Sequence, residues 1–425
     1  MTDTRARIGR FMPGGSSGRL RGPFHGLPRE VTVLTAVSFT VALGYGIAAP
    51  AIPAFARQFG VSTAAAASVI SAFALMRVAG ALPAGRLVDR FGEHVVMAAG
   101  IAVVAVSSLL AGFSQSYVQL LVLRGAGGVG SAMFSVSAQT LLLVSVPAQQ
   151  RGRASGLFSG GFLVGGISGP ALGGLVAAWS LRAPFLIYGG LLAVPALIAA
   201  VGLRDAPGRR AAGQRPARLL AALGYALRNS AYRAAALANL ADGFSAMGVR
   251  SAIVPLFVRD VLHRSAVWTG IGFLVFAATN AATLWPGGWA ADTLGRRPVI
   301  IAGCVGSAAG LVMLAFLPGL WGYLAALAVA GLGSGLLDVA PSAMIGDILP
   351  PGGGSLVASY QMAGDTGSVT GPVAAGFLVD TASYTAAFGL AAGMLGLAAV
   401  LGLFAPETRS RTPGALPDSQ ASPPS

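Results

Sequence analysis

Long runs of apolar residues dominate this chain of 425 residues and limit what it can fold into. Hydrophobic residues make up 55% of the chain and charged residues only 10%, whereas a soluble domain has roughly a quarter charged residues. A helix needs about 20 apolar residues to cross a bilayer. Runs of that length predict twelve membrane-spanning helices, at residues 31–56, 65–86, 95–114, 118–146, 154–178, 184–203, 233–257, 267–290, 298–318, 321–347, 354–379 and 384–404.

The predicted spans fall into two groups of six, which sets the expected domain organisation. Residues 30–203 are predicted to form an N-terminal six-helix bundle and residues 233–405 a C-terminal one, joined by a basic linker at 204–232. Residues 1–29 and 406–425 have the composition of disordered segments. The expected fold class is an all-α membrane protein with twelve transmembrane helices in two pseudo-symmetric six-helix bundles.

The basic residues show how the spans are oriented. The formal net charge is +14, and all 28 basic residues are arginines. If the N-terminus is cytoplasmic, the segments on that side hold 21 arginines and the opposite side four. Because cytoplasmic loops carry the excess of basic residues, we expect a multi-pass protein of the cell (plasma or inner) membrane with both termini in the cytoplasm. The same distribution argues against nucleic acid as a partner.

Several classes of function lack the residues they need. The chain has a single cysteine, Cys304, and its three histidines do not cluster, so no metal site is expected. Lysine is absent, which removes the nucleotide-binding loop of ATP-driven transport. No nucleophile–base set is apparent. The sequence therefore predicts neither an enzyme nor a bound cofactor.

The two groups of spans repeat each other. The matches keep one order and an offset of 202 or 203 residues, which indicates a tandem duplication. A pair of parallel halves with a substrate site between them near the membrane midplane is a known plan for transporters. The matching segments are Gly85–Gly92 with Gly288–Gly295, Gly128–Ser131 with Gly331–Ser334, and Gly169–Pro170 with Gly371–Pro372.

A glycine–aspartate signature lies between spans 2 and 3 and returns in the second half. Its residues are Gly85, Asp89, Arg90 and Gly92, then Gly288, Asp292, Gly295 and Arg296. The pattern resembles that of the major facilitator superfamily, which implies secondary active transport by alternating access. We expect these residues to form a cytoplasmic gate, in which Asp89 accepts bonds from a neighbouring helix end that break and re-form.

Two further motifs resemble those of the twelve-span drug:proton antiporters. Arg124 precedes Gly128-x-Gly130 in span 4, and the span-5 antiporter motif comprises Gly156, Gly165, Gly169, Pro170, Gly173 and Gly174. The resemblance implies multidrug efflux of drug-like or lipophilic molecules by a proton antiporter. The alternative is an importer or facilitator of a small metabolite with the same fold. We expect the span-5 glycines to shape the interface between the halves.

Charges within the spans are functional candidates, because an ionised group is costly in a membrane. The candidates for proton coupling are Asp242, Asp338, Asp365, Arg124 and Arg77. Asp242 and Asp365, which lie near the middle of their spans, are favoured as the proton carrier, with Asp338 third. For each acid, a structural ion pair with an arginine is an equally weighted alternative.

Polar residues in the spans are candidates for the substrate cavity, although each of them could instead make a bond between helices. These residues are Tyr45, Gln139, Asn239, Arg250, Asn280 and Gln361. The rest of the cavity is expected to be apolar and to include Trp285. The expected partners are a small-molecule substrate, protons and the lipid bilayer, and the protein is expected to act as a monomer.

Overall fold

A computed structural model of the chain describes residues 28–146, 150–202, 228–317, 319–348 and 354–408. The predicted disordered termini and the linker lie almost entirely outside these ranges, so they stay predictions. The helices of the first half are α1 (Arg29–Ala48), α2 (Ala51–Arg57), α3 (Thr63–Phe91), α4 (Glu93–Gly112), α5 (Tyr117–Ser145), α6 (Arg151–Trp179) and α7 (Ala183–Gly202).

The second half repeats this order with one irregular element. Its helices are α8 (Ser230–Gly243), a π-helical segment (Phe244–Ile253), α9 (Val254–Asp260), α10 (Ala266–Thr293), α11 (Arg296–Phe316), α12 (Leu320–Asp347), α13 (Gly354–Thr381) and α14 (Tyr384–Leu403).

Short polar residues begin several of the helices. The side chains of Ser62, Ser116 and Ser383 each accept a hydrogen bond from the backbone N–H three residues later. Asn229 does the same at the start of α8. Such N-caps satisfy N–H groups that the helix itself leaves free. The local sequence therefore sets the residues at which these helices begin.

The predicted all-α membrane fold is confirmed. Ten stretches of the described chain are long and apolar enough to cross a membrane. Ala183–Leu197 is a shorter apolar stretch within α7, and the 28-residue α13, with Asp365 near its middle, is not among the ten. The structure differs from the prediction in spans 1 and 7, which are irregular helices. Span 1 breaks between α1 and α2 at Ala49–Pro50, and span 7 contains the π-helical segment.

The helices pack as two bundles that meet along a shared face. In the first bundle α1 packs on α6 and α7, and α5 packs on α3 and α4. In the second bundle α12 packs on α10 and α11, and α13 packs on α8 and the π-helical segment. Contacts between the bundles join α3 with α13 and α6 with α10. The exact domain boundaries remain those proposed from the sequence.

The duplicated glycines make duplicated contacts. A Cβ added to Gly46 would lie 2.8 Å from the Cα of Gly169, and one added to Gly248 would lie 2.8 Å from the Cα of Gly371. Both pairs are related by an offset of 202 residues. The absence of side chains lets the backbones of two helices approach closely. The same helix–helix packing is therefore built twice.

Candidate functional site

A cavity of about 380 Å³ lies between the two bundles. The first bundle contributes residues of α1, α3, α5, α6 and α7, and the second contributes residues of α8, the π-helical segment, α10, α12 and α13. Much of the wall is apolar, and charged groups are concentrated at a few positions. Ligand sites commonly combine an apolar, concave wall with a few polar groups. The aromatic residues of the wall are Tyr45, Phe73, Phe134, Phe162, Tyr188, Phe273 and Phe276.

Two carboxylates and one guanidinium form a cluster on the wall of the second bundle. Ser334 Oγ donates to Asp242 Oδ1 at 3.4 Å, and Asn280 Nδ2 donates to Asp338 Oδ2 at 2.8 Å. Arg250 lies within electrostatic range of both carboxylates. Within the described ranges, however, neither carboxylate has a basic nitrogen within 4.0 Å. Neutral donors therefore hold the two acids in place without neutralising them.

The π-helical segment carries the basic member of this cluster. A π-helix pairs each residue with the one five positions earlier, and such turns occur often at functional sites. Ser251 Oγ donates to the carbonyl of Ala246, five residues back, at 2.9 Å. The guanidinium of Arg250 lies 4.1 Å from the centre of the Phe276 ring. This cation–π contact holds Arg250 over α10, and no carboxylate of the described residues lies within 4.0 Å of its guanidinium.

Arg124 lies behind the cavity wall of the first bundle. Its side chain is only 1% exposed, and its guanidinium lies 4.6 Å from the Phe73 ring centre and 5.9 Å from that of Tyr45. Nε and Nη2 of Arg124 have no hydrogen-bond partner in the described part of the chain. A buried charge without a partner is costly. Arg124 can therefore influence the cavity electrostatically, although two aromatic rings separate it from the lumen.

The other predicted groups of the cavity occupy both sides of the lumen. Arg77 of α3 and Asp365 of α13 line it from opposite bundles. Tyr45 lines it and donates from its hydroxyl to Met247 Sδ at 3.7 Å, across the boundary between the bundles. Tyr45 and Met247 are equivalent positions of the repeat, 202 residues apart. Equivalent residues that touch each other lie near the axis relating the two halves.

Four residues predicted for the cavity lie elsewhere. Gln139 and Gln361 are exposed and lie outside the lining, one helical turn from the lining residues Ser135 in α5 and Asp365 in α13. Asn239 donates from Nδ2 to the carbonyl of Tyr360 at 2.8 Å, so it joins two helices of one bundle. Trp285 is 82% exposed on the outer surface of α10. Polarity alone does not tell which face of a long helix a residue occupies.

The lining also includes residues that the sequence did not single out as cavity candidates. Tyr188, Met247, Phe276 and Ser334 all border the cavity. Met247 and Ser334 had a detectable signal, since they are the repeat partners of the lining residues Tyr45 and Ser131. Tyr188 and Phe276 look like ordinary residues of apolar helices, and only the packing brings them to the lumen.

The span-5 glycines mainly pack within their own bundle. A Cβ on Gly169 would lie 2.6 Å from Gly46 Cα, and Gly165 and Gly173 likewise face the backbone of α1. Gly156 has open space where its Cβ would be. The expectation that these glycines shape the interface between the halves is therefore wrong for Gly165, Gly169 and Gly173. They fix the distance between α6 and α1.

The second copy of the glycine–aspartate signature is tied into a network. Arg296 Nη1 lies 2.5 Å from Asp292 Oδ1, and Arg296 Nε lies 3.1 Å from Asp347 Oδ2. The carboxylate of Glu407 accepts hydrogen bonds from the backbone N–H groups of Arg296 and Arg297, at 2.8 and 3.1 Å. Asp292, Arg296 and Asp347 lie in helices of the second bundle, and Glu407 follows its last helix. The network therefore stiffens one end of that bundle. The prediction of disorder from residue 406 onward is wrong at Glu407.

The first copy has the same turn but not the same bonds. Gly92 and Gly295 have φ values of +86° and +116°, which favour glycine at both turns. Asp89 is exposed and makes no hydrogen bond or ion pair with the residues whose structure is described. Arg90 stacks over the ring of Phe91 at 5.2 Å. The predicted gate contact of Asp89 is not made in this conformation.

The two ends of the molecule differ. We call the end where α1 begins and α14 ends the terminal end, and the opposite end the closed end. At the closed end, a Cβ on Gly270 would lie 2.9 Å from Gly174 Cα, and one on Gly376 would lie 2.7 Å from Ala64 Cα, each in the other bundle. At the terminal end, a Cβ on Gly85 would meet nothing within 4 Å. The backbones of the two bundles therefore meet at the closed end.

Proteins of similar sequence extend over most of the chain. A sequence model of the Major Facilitator Superfamily matches residues 34–273 and again 235–424. An uncharacterized MFS-type transporter of Methanocaldococcus jannaschii is 24% identical over 83% of this chain and 92% of its own length. The class C tetracycline resistance protein of Escherichia coli is 29% identical over 81% of this chain and 87% of its own length.

A solved structure shares the same fold. A bacterial homologue of the human lysosomal transporter Spinster, in an inward-facing and unoccupied conformation, superposes with a TM-score of 0.75. The match covers 88% of this chain and 96% of that one at 16% sequence identity. The family resemblance noted from the sequence is therefore confirmed: the chain belongs to the Major Facilitator Superfamily and is a multi-pass membrane transporter.

Proposed function

We propose that this transporter is a proton-coupled exporter of drug-like or lipophilic small molecules that works by alternating access. The observation that carries the proposal is the pair of carboxylates, Asp242 and Asp338, that face the cavity beside Arg250 and form no ion pair with any described residue. A carboxylate is protonated or ionised according to its surroundings. A small change in the distance between either carboxylate and Arg250 would convert the ionised form into the protonated form, or the reverse.

The cavity supports a lipophilic substrate. Its volume of about 380 Å³ falls in the range of small-molecule sites. Aromatic rings from both bundles form much of the wall, and they offer large contact areas without demanding one hydrogen-bonding pattern. The similarity to a tetracycline resistance protein points in the same direction.

The proposed orientation places both termini in the cytoplasm and the protein in the plasma membrane. The terminal end then faces the cytoplasm, and the cavity is accessible from that side. The arginine excess of the predicted loops on that side supports this orientation. One chain contains both bundles and the whole cavity, which supports action as a monomer.

The test is transport into inverted membrane vesicles containing the protein. We expect a panel of lipophilic compounds that includes tetracycline to give at least one substrate, which accumulates when the vesicle interior is acidified. A protonophore should abolish the accumulation, because it removes the driving force while leaving the protein intact. Cells that express the protein should tolerate more of the same compound.

Two results would overturn the proposal. Accumulation only in right-side-out vesicles would mean import, which is the alternative function for this fold. Accumulation that survives the protonophore would mean that protons do not drive transport. Vesicles without the protein are the control for passive partition of lipophilic compounds into the membrane.

A further inference from the structure

An aspartate of the second bundle completes a helix of the first. At the closed end, Asp380 Oδ1 accepts a hydrogen bond from the backbone N–H of Thr63 at 2.8 Å. Asp380 Oδ2 accepts one from the N–H of Ala64 at 2.7 Å. Ser62 Oγ accepts from the next N–H, that of Ala65, at 3.2 Å. The free N–H groups at the start of α3 are thus shared between its own N-cap and a carboxylate from the other bundle.

This contact lies where the bundles meet. Gly376, one turn before Asp380 in α13, packs against Ala64 so closely that a Cβ would lie 2.7 Å from its Cα. The glycine brings the backbone of α13 against α3, and this close approach places the carboxylate at the helix start. Arg57 Nη1 donates to Thr63 Oγ1 at 3.2 Å, so the first residue of α3 is also held by a side chain of its own bundle.

The chemistry of the contact favours a strong interaction. A helix N-terminus carries a partial positive charge, and an aspartate there is stabilised by it. Hydrogen bonds from N–H groups to an ionised carboxylate are roughly twice as strong as neutral ones. Both bonds connect parts of the chain more than 300 residues apart, so they exist only while α3 and α13 are together at this end.

We propose that Asp380 is a conformational latch, which holds the closed end shut by capping α3 across the boundary between the bundles. Opening this end separates α13 from the start of α3, and both bonds must then be exchanged for bonds to water. The latch stabilises the conformation in which the cavity is accessible from the terminal end, and it opposes the alternate one. The proposal depends on a two-state cycle and holds whatever the substrate is.

The other end of the same helix carries a second carboxylate, that of Asp89. Asp89 lies near the C-terminus of α3, as Asp380 lies near the C-terminus of α13. The C-terminus of α13 contacts the N-terminus of α3, so the two helices run in opposite directions. The C-terminus of α3, which carries Asp89, therefore lies on the same side of the molecule as the N-terminus of α13. In this conformation Asp380 is bonded, whereas Asp89 has no partner in the described chain. One helix pair thus carries a carboxylate at each end, and only the one at the closed end is engaged.

The test measures access to the cavity from the closed end. Ser135, which lines the cavity, is replaced with Cys in a Cys304→Ser background, so that one thiol reports access. A membrane-impermeant thiol reagent is added to whole cells, whose exterior faces the closed end in the proposed orientation. We expect slow labelling of this reporter protein, and labelling about five- to thirtyfold faster after Asp380→Asn, because that variant removes the charge and one acceptor oxygen.

A second variant tests the same hydrogen bonds by removing a donor instead of the acceptor. Thr63→Pro removes one of the two N–H donors at the first position of α3, where proline is well tolerated. Ser62 before it is already extended, with φ −63° and ψ 168°, as a residue preceding proline requires. We expect faster labelling in this variant too, by a smaller factor than in Asp380→Asn.

The matched control is Asp260→Asn, which removes another carboxylate from the closed end. Asp260 bonds to Arg259 and Tyr384 within the second bundle and makes no hydrogen bond or ion pair with a described residue of α3. Labelling at the original rate in both Asp380→Asn and Thr63→Pro would overturn the latch, and so would equal acceleration in Asp260→Asn. Fast labelling of the reporter protein that carries neither Asp380→Asn nor Thr63→Pro would contradict the proposed orientation instead. The labelling rates of the same variants would then be compared with the reagent on the cytoplasmic side.

Discussion

Replacing Asp242 or Asp338 with Asn is expected to abolish proton-driven accumulation of substrate, whereas Asp365→Asn should leave coupling in place. Asp242 and Asp338 share the field of Arg250, and each is held by one neutral donor, Ser334 or Asn280. An amide keeps the shape of the carboxylate but cannot carry a proton. Concentrative uptake into inverted vesicles should therefore fall to the level of vesicles without the protein.

Exchange of substrate without a proton gradient separates coupling from binding. If Asp242 and Asp338 carry protons, their Asn variants should still exchange labelled for unlabelled substrate across the membrane. Loss of exchange together with accumulation would show that these acids bind substrate or support the fold instead. Asp365 is the internal control, because it lines the same cavity but has no hydrogen bond to these acids. If only Asp365→Asn loses coupling, the assignment to the Arg250 cluster is wrong.

Replacing Gly169 with Leu is expected to abolish transport while the protein still inserts in the membrane. A Cβ at this position would lie 2.6 Å from both the Cα of Gly46 and the carbonyl oxygen of Leu43. Both atoms belong to backbone, so no side chain can turn aside and the two helices must separate. Overpacking of this kind costs about 1–3 kcal/mol or more. Even Gly169→Ala should lower the melting temperature of the purified protein.

The same helix provides the matched control. Gly160 lies nine residues earlier in α6 and has open space where its Cβ would be. Gly160→Ala should therefore leave both melting temperature and transport close to their original values. Insertion is checked by the amount of full-length protein recovered from washed membranes. Full transport by Gly169→Leu would mean that close packing of α6 on α1 is not required for the cycle.

The duplication explains why the architecture could be predicted from the sequence. Apolar runs have to match the bilayer thickness, and this requirement does not depend on the partners of each helix. The repeated pairs Gly46–Gly169 and Gly248–Gly371 were visible as matching positions in the two halves, and the structure shows that they are matching contacts. The irregular parts were not predicted. Neither the break at Pro50 nor the π-helical segment changes the hydropathy of its span.

The candidate site was predicted less completely, because it depends on which residues of each helix reach the cavity. The charges within the spans directed attention to the right regions, and Asp242, Arg250 and Asp338 lie in one cluster. The sequence favoured Asp242 and Asp365, whereas the structure groups Asp242 with Asp338. Gln139 and Gln361 share a helix face with the lining residues Ser135 and Asp365 but lie one turn nearer the terminal end, outside the lining. The choice among them requires knowing how far the cavity extends along each helix.

The sequence by itself determined the membrane environment, the twofold repeat, the family and the set of charged residues that a bilayer makes costly. The family follows from the resemblance of the motifs, and the other features follow from composition and spacing, which act locally along the chain. Only the tertiary structure decided which charges meet, which glycines pack within a bundle, and which end of the molecule is shut. Asp380 shows the reason: its partners, Thr63 and Ala64, lie more than 300 residues away. Their hydrogen bonds exist only when two separate bundles come together.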